Sequence, residues 1–356
     1  HLDELYGASL GPLVRKKGEV QTTGFFADFI EDRFAGAPVF RQTAEFLGEV
    51  LLEPALQNGA FLPDVVSGER LNLENTIAAR INDKRTWATS ELLRVMCAGE
   101  AYGVPRLGEL EDVRALDEKN LYAHYRALLT HSQVEIFYMG SHTPDAAAEA
   151  FREALRDLPR GELTPCGTVV VPKADAVRKE ERALDVTQGK LVLGFRTGCT
   201  LTDAEFPALL MMNAIYGGGI TSKLFMKVRE ELSLCYYAMS TLEKFKGVML
   251  VSSGIDCAQR DVAQAEILRQ LDAVRAGDIS DYEFESARRY LRSSLSTGMD
   301  SPGRLDDFYI GQLIAGQPDT MQALSERIAR VTKDDVAAAA RRVSLDTVFF
   351  LKGVQA

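Results

Sequence analysis

The sequence predicts an α+β fold made of two similar halves, each a mainly antiparallel sheet covered by helices. Three observations support it. The chain has 356 residues, 46% hydrophobic and 26% charged, which suits two globular cores better than one. Its halves end alike: Leu116-Asp117-Glu118-Lys119-Asn120-Leu121 leads through a helical pattern to a strand at 134–139 and Gly140, and Val331-Thr332-Lys333-Asp334-Asp335-Val336 leads through another to a strand at 347–351 and Gly353. In each, an apolar residue precedes a capped helix that feeds a hydrophobic strand stopped by glycine, the mark of an internal duplication. Between the halves, residues 159–182 are rich in breakers and charges. The expected division is therefore 1–158, a linker at 159–182, and 183–356. Long helical patterns between the strand groups place helices on one face of each sheet.

The elements follow in order. The chain opens on His1, without methionine, in a helix-like stretch to Gly7, so the first half is expected to lack its opening strands. Residues on either side of Lys16-Lys17-Gly18 predict a strand pair. Phe40, Ala44, Phe46, Leu47, Val50, Leu51 and Leu52 fall at helical spacing, and Pro54 ends that helix. Pro63 starts a long helical pattern to about residue 95, followed by a loop at 102–105. Asp117 is placed to cap a helix at 118–129. The run 134–139 reads as a buried strand, Thr143-Pro144-Asp145 opens a helix ending near 158, and 169–171 reads as an edge strand inside the linker. The second half reads as strand 190–195, helix 203–215, a turn at Gly217-Gly218-Gly219, helix 222–232, and strands 235–241 and 248–253. Helices near 259–276, 280–297, 302–315, 319–330 and 333–343 precede the last strand.

Composition excludes several functions. Lys and Arg total 41 against 51 Asp and Glu, a formal charge of −10, which repels phosphate backbones and anionic membranes. No apolar run approaches the roughly 20 residues that span a bilayer, so no membrane span is expected. The five cysteines, at 97, 166, 199, 235 and 257, are odd in number and contain no C-x-x-C pair. Neither a disulfide framework nor a thiolate zinc site is expected, and a reducing cytoplasm suits them best.

Chemistry-bearing motifs are sparse. His124 and His131 lie seven apart, not at the i, i+4 spacing that lets two imidazoles share one ion, and with His1 and His142 they are the only histidines. There is no H-x-x-E-H, no H-E-x-x-H and no G-x-S-x-G. The triple glycine lacks P-loop and dinucleotide spacing, so it reads as a structural turn.

Read whole, the stretch from Gly217 to Tyr236 is more specific. GGGITSKLFMKVREELSLCY resembles the C-terminal-half signature of the M16 zinc metallopeptidases, the pitrilysin, insulinase and mitochondrial processing peptidase group, in which a glycine turn precedes S-x-L-F-x-x-x-R-E-x-x-x-L-x-Y. Tyr102-Gly103-Val104-Pro105, Leu107-Gly108 and the Val113–Leu116 run resemble that family's loop before a closing helix. Leu2–Ala8 and Ile81-Asn82-Asp83-Lys84 resemble its bacterial inactive-domain branch, whose members pair with an active relative. The resemblance implies two homologous modules of the LuxS/processing-peptidase kind. In that family H-x-x-E-H supplies two zinc ligands and the base, and E-R-x-x-V-x-x-E-I supplies the third ligand. Here the second motif reads Glu69-Arg70-Leu71-Asn72-Leu73-Glu74-Asn75-Thr76-Ile77, which puts Thr76 at the ligand position and Glu74 on the far side of the helix.

By the same resemblance, Arg229 and Tyr236 match the family's Arg and Tyr, seven residues apart, that bind substrate at the other module's zinc. Phe195, Arg196 and Gly198 are expected to line the same cavity. The implied function is a non-catalytic subunit with no catalytic residue and no cofactor of its own, which gives Arg229, Tyr236 and half of a peptide chamber to an H-x-x-E-H-bearing M16 partner that holds the Zn²⁺. Its acidic surface is compatible with basic peptides. Two alternatives stand beside it: an active homodimeric zinc endopeptidase whose H-x-x-E-H lies in a missing N-terminal segment, and a purely structural M16-like scaffold.

Overall fold

The computed structural model describes residues 5–354, so His1 and most of the helix-like opening lie outside the described residues. In chain order the elements are β1 (Ser9–Lys17), β2 (Val20–Asp28), α1 (Asp32–Ala35), α2 (Val39–Leu52), β3 (Leu56–Gln57), β4 (Ala60–Phe61), α3 (Pro63–Ala79), α4 (Lys84–Met96), α5 (Leu110–Arg114), α6 (Glu118–His131) and α7 (Pro144–Ala154). They continue as β5 (Arg178–Leu184), β6 (Gly189–Arg196), α8 (Phe206–Tyr216), a π-helix (Leu224–Glu231), β7 (Cys235–Glu243) and β8 (Val248–Ile255). The last are α9 (Arg260–Ala276), α10 (Asp281–Gly298), α11 (Pro302–Ile314), α12 (Met321–Arg330), α13 (Lys333–Arg342) and β9 (Ser344–Gly353).

Packing gathers these into two compact units, and neither is one continuous stretch. The first holds residues up to Lys16 with Gln21–Ala78 and Arg106–Cys166; the second holds Lys17–Val20, Ala79–Pro105 and Gly167–Ala356. The order along the chain, divided at 159–182, is therefore not the division of the packing. The cause is α4. The single long helix expected from 63 to 95 breaks at Asp83, whose carboxylate accepts from the Arg85 and Thr86 amides and so starts a new helix. That helix buries Ala88, Leu92 and Met96 in the second unit.

In the first unit, β3 and β4 form a short hairpin around Asn58-Gly59, both at positive φ, the pairing a tight two-residue turn requires. Phe61 beyond it meets Tyr122 and Tyr125 edge-on at 5.2 and 5.4 Å. Phe40 of α2 is buried against Tyr138, His142 and Phe151. α6 starts as expected, with a reciprocal box between Asp117 and Asn120. The strand expected after it does not form: residues 133–139 pair with no strand among the described residues, and Val134, Ile136 and Met139 are exposed. The same holds for 169–171. An apolar run supplies strand propensity, but a strand exists only with a neighbour's ladder to bond. The duplicated ending thus shares its capped helix and not its strand.

The second unit is built on a five-stranded sheet in the order β5-β9-β6-β8-β7. β5 runs parallel to β9 and the other neighbours are antiparallel, so the α+β, antiparallel-dominated class is what forms. β5 occupies the end of the segment read as linker. It is an edge strand of sequence RKEERAL, whose charges suit an exposed edge. One face of the sheet carries α8, buried on nearly every side, with α9, α10, α12 and α13 around it. The other face is not bare, as expected, but carries α4 over Val192, Val248, Phe349 and Leu351. Gly194 allows this: a Cβ there would stand 2.5 Å from the Met96 sulfur and 2.9 Å from Leu92.

A charged network is sealed beside α4. Arg196, 1% exposed, donates to Asp346 at 2.8 Å and to Glu100 at 2.6 Å. Buried Lys246 reaches Glu100 at 2.7 Å, Glu19 at 2.5 Å and the Val169 carbonyl. Arg196 also bonds the Met96 carbonyl at 3.0 Å, so the C-terminus of α4 is tied into the network. Arg196 and Phe195 are therefore interior residues, not the cavity lining expected of them.

Candidate functional site

Arg229 and Tyr236 lie on one irregular stretch of the second unit. The helix expected at 222–232 is a π-helix: the Leu232 amide bonds the carbonyl of Lys227, five residues back, at 3.0 Å. The wider turn keeps i, i+4 pairs on one face. Leu224 and Val228 are buried together, Phe225 lies 4.7 Å beneath the Arg229 guanidinium, and Lys227 pairs with Glu231 at 2.5 Å. Lys223, at the start, is anchored to Glu283 at 2.9 Å. The end is closed by Ser233 at φ +50, where glycine is usual, and the Leu234 amide bonds Val228 O at 2.9 Å.

Next comes a bulge. Cys235 pairs with Ile255 and Tyr237 with Gly254, which leaves Tyr236 as the extra residue of an edge strand. Tyr236 is 68% exposed, and Arg229 is about two-fifths exposed with its ion pair to neighbouring Glu230 at 3.5 Å. Three locally disfavoured choices therefore fall within thirteen residues and frame two accessible donors. Bulges, π-turns and left-handed non-glycine residues gather at functional sites because they aim side chains that regular structure would not.

The glycine turn before this stretch is structural. The Gly217 carbonyl accepts from the Ser240 amide at 2.9 Å, and a Cβ at Gly217 would stand 2.7 Å from Leu224 and from the Ser240 backbone nitrogen. Gly217→Ala should destabilise the protein by about 1–3 kcal/mol, read by urea unfolding, because the colliding atom is backbone and cannot move aside. Gly219→Ala, with open space around it, should lie within about 0.5 kcal/mol of the parent.

Thr76 lies on α3, in the first unit, and its hydroxyl donates to the Asn72 carbonyl at 2.8 Å. Glu74 is held by Arg114 at 3.2 Å, with Arg70 at 4.0 Å. These residues do not fit a zinc centre: the hydroxyl is committed to its own helix and the carboxylate is neutralised. Among the described residues no three His, Cys, Asp or Glu side chains converge to hold a metal. His124 is exposed, His131 bonds the Glu162 carbonyl at 2.9 Å, and His142 faces Asp32 at 3.2 Å. Three of the five cysteines are held as thiols. Burial pushes the Cys97 and Cys235 thiols up to about 11 and Cys199 up to about 12.

Comparison with known proteins agrees with the fold. Residues 115–291, which include Arg229 and Tyr236, match the family model described as Peptidase M16 inactive domain. Over its whole length the chain is 32% identical to the Probable inactive metalloprotease YmfF of Bacillus subtilis, of which it covers 84%. The chain belongs to the M16 peptidase family. A crystal structure of a conserved protein from Enterococcus faecalis superposes with a TM-score of 0.91 at 30% identity, covering all of this chain and 84% of that one. The peptidase M16 inactive domain from Pseudomonas fluorescens gives 0.79 at 15% identity over 99% of this chain and 82% of that one, a likeness of fold alone. An uncharacterized zinc protease of Streptomyces coelicolor is 29% identical over 82% of this chain and 66% of that protein. The inactive-domain model and the Bacillus relative both support a non-catalytic M16-like protein. No helix among the described residues is long and apolar enough to cross a membrane.

The π-helix, Ser233 and the Phe225 shelf beneath Arg229 were not foreseen from the sequence. A Ser-Leu pair between the helix and Cys235 carries no left-handed signal comparable to glycine, and π-spacing is indistinguishable from α-spacing over two turns.

Proposed function

We propose that this chain is the non-catalytic subunit of an M16-type zinc peptidase. It pairs with an H-x-x-E-H-bearing relative and presents Arg229 and Tyr236 to the peptide. The carrying observation is the framed pair of exposed donors. A guanidinium held over Phe225 and a phenol aimed by a bulge can both donate to a peptide carbonyl, and to the oxyanion that forms when water attacks it. The partner supplies the zinc-activated water; this chain's residues orient the carbonyl and offset its developing charge. The unpaired cysteines support a reducing compartment, such as the cytoplasm.

Metal analysis and reconstitution test this together. The purified chain should hold far less than one zinc per molecule and cleave no peptide. Mixed with an H-x-x-E-H-bearing M16 protein from the same genome, it should form a complex that cleaves an unfolded basic peptide. One tightly bound zinc per chain, with activity on its own, would favour the homodimeric peptidase and sink this reading.

A further inference from the structure

Beyond the ends of β6 and α13, the second unit holds a recess of about 320 Å³, lined by Lys173, Thr197, Gly198, Arg341, Arg342 and Ser344. Three cationic residues line it, with no carboxylate in the lining, on a protein whose net charge is −10, and the Thr197 hydroxyl is already bonded to the Cys199 carbonyl at 2.9 Å. The ordinary reason for arginines at a helix C-terminus is to compensate its open carbonyls. Here Arg275 already does so: its Nε donates to the Ala340 carbonyl at 3.3 Å and its Nη2 to the Val343 carbonyl. Arg341 spends one N–H on the Arg275 carbonyl at 2.9 Å, and Arg342 donates to the Gly198 carbonyl with Glu205 3.7 Å away. A guanidinium carries five N–H donors, so each keeps donors to spare.

Gly198, at φ +58 on the recess wall, holds a backbone conformation that a side chain would strain.

We propose that this recess binds a phosphate-type oxyanion. A tetrahedral dianion offers more acceptor oxygens than a planar carboxylate and suits donors arriving from Lys173, Arg341 and Arg342 together. The recess is at the small end of ligand pockets, so free phosphate and the phosphoryl group of a small phosphomonoester both fit its chemistry.

Isothermal titration of the full chain with inorganic phosphate, and separately with glycerol phosphate, at constant ionic strength distinguishes the two sources. Saturable binding is expected for both. Tighter binding of the ester assigns the site to a phosphorylated small molecule, and equal binding assigns it to free phosphate. The Lys173→Gln, Arg341→Gln double variant should weaken binding at least about tenfold. Glu205→Gln, which frees the Arg342 guanidinium, should tighten it several-fold, a gain that a damaged fold does not produce. No saturable binding of either probe, or undiminished binding in the double variant, overturns the proposal.

Discussion

Replacing Asp346 by alanine should destabilise the second unit by about 2–3 kcal/mol, because the buried Arg196 guanidinium loses its 2.8 Å acceptor while Glu100 at 2.6 Å still balances its charge. Urea unfolding followed by fluorescence or circular dichroism measures this. The effect exceeds that of any surface ion pair, since exposed pairs such as Arg41–Glu45 contribute well under about 1 kcal/mol. The network also sets the response to acid. Burial alone would raise the Glu100 carboxyl, but hydrogen bonds from Arg196 and Lys246 outweigh it and hold the group below the ordinary glutamate range. Glu19 is lowered against burial in the same way, by Lys246 and the Val169 amide. A carboxylate depressed in the folded state contributes stability that is fully present above its unfolded pKa and is lost as pH falls through the folded value. Stability should therefore be flat near neutrality and decline below about pH 4.3. Glu100→Gln should be less stable at pH 7 and show a shallower decline in acid. An unchanged acid limb would remove Glu100 from this account.

Arg229→Ala should lower peptide cleavage by the reconstituted complex about 10²–10³-fold, the scale seen when one donor to a developing oxyanion is lost. Tyr236→Phe removes one hydroxyl and should lower it about tenfold. Because both side chains are accessible, neither change should move folding stability by more than about 0.5 kcal/mol. The kinetic split decides their role. A fall in kcat at constant KM places the donors on the transition state, and a rise in KM alone places them on the bound peptide. Full activity in both variants would make the chain a scaffold.

Several helices of the second unit were legible because they carry their own start signals. Ser280 and Glu283 form a reciprocal box, as do Thr332 and Asp335, and both fall where the sequence places a helix start. What escaped depends on long-range partners or on backbone register. RKEERAL carries no apolar alternation, and only the parallel ladder to β9 makes it a strand. The 134–139 run has the composition and no ladder. α4 looks like the continuation of its predecessor until Asp83 is seen to cap it, and a division by chain order assigns it to the wrong core. For the site, the Arg229 and Tyr236 spacing was visible in the sequence. The π-turn, the left-handed Ser233 and the bulge that give this spacing its geometry were not.

The place of β9 has a consequence for synthesis. β9 lies between β5 and β6, yet it follows every other strand in the chain. On the ribosome β6 and β8 are made early, and β6 keeps an open edge while α9 to α13 emerge. During that interval Val192, Leu92 and Met96 lack Phe349 and Leu351, and Arg196 lacks Asp346. One late strand then closes the edge, completes the apolar layer under α4 and gives the buried guanidinium its second carboxylate together. The second unit should therefore fold as a single late event, and its nascent form is the species most in need of a chaperone.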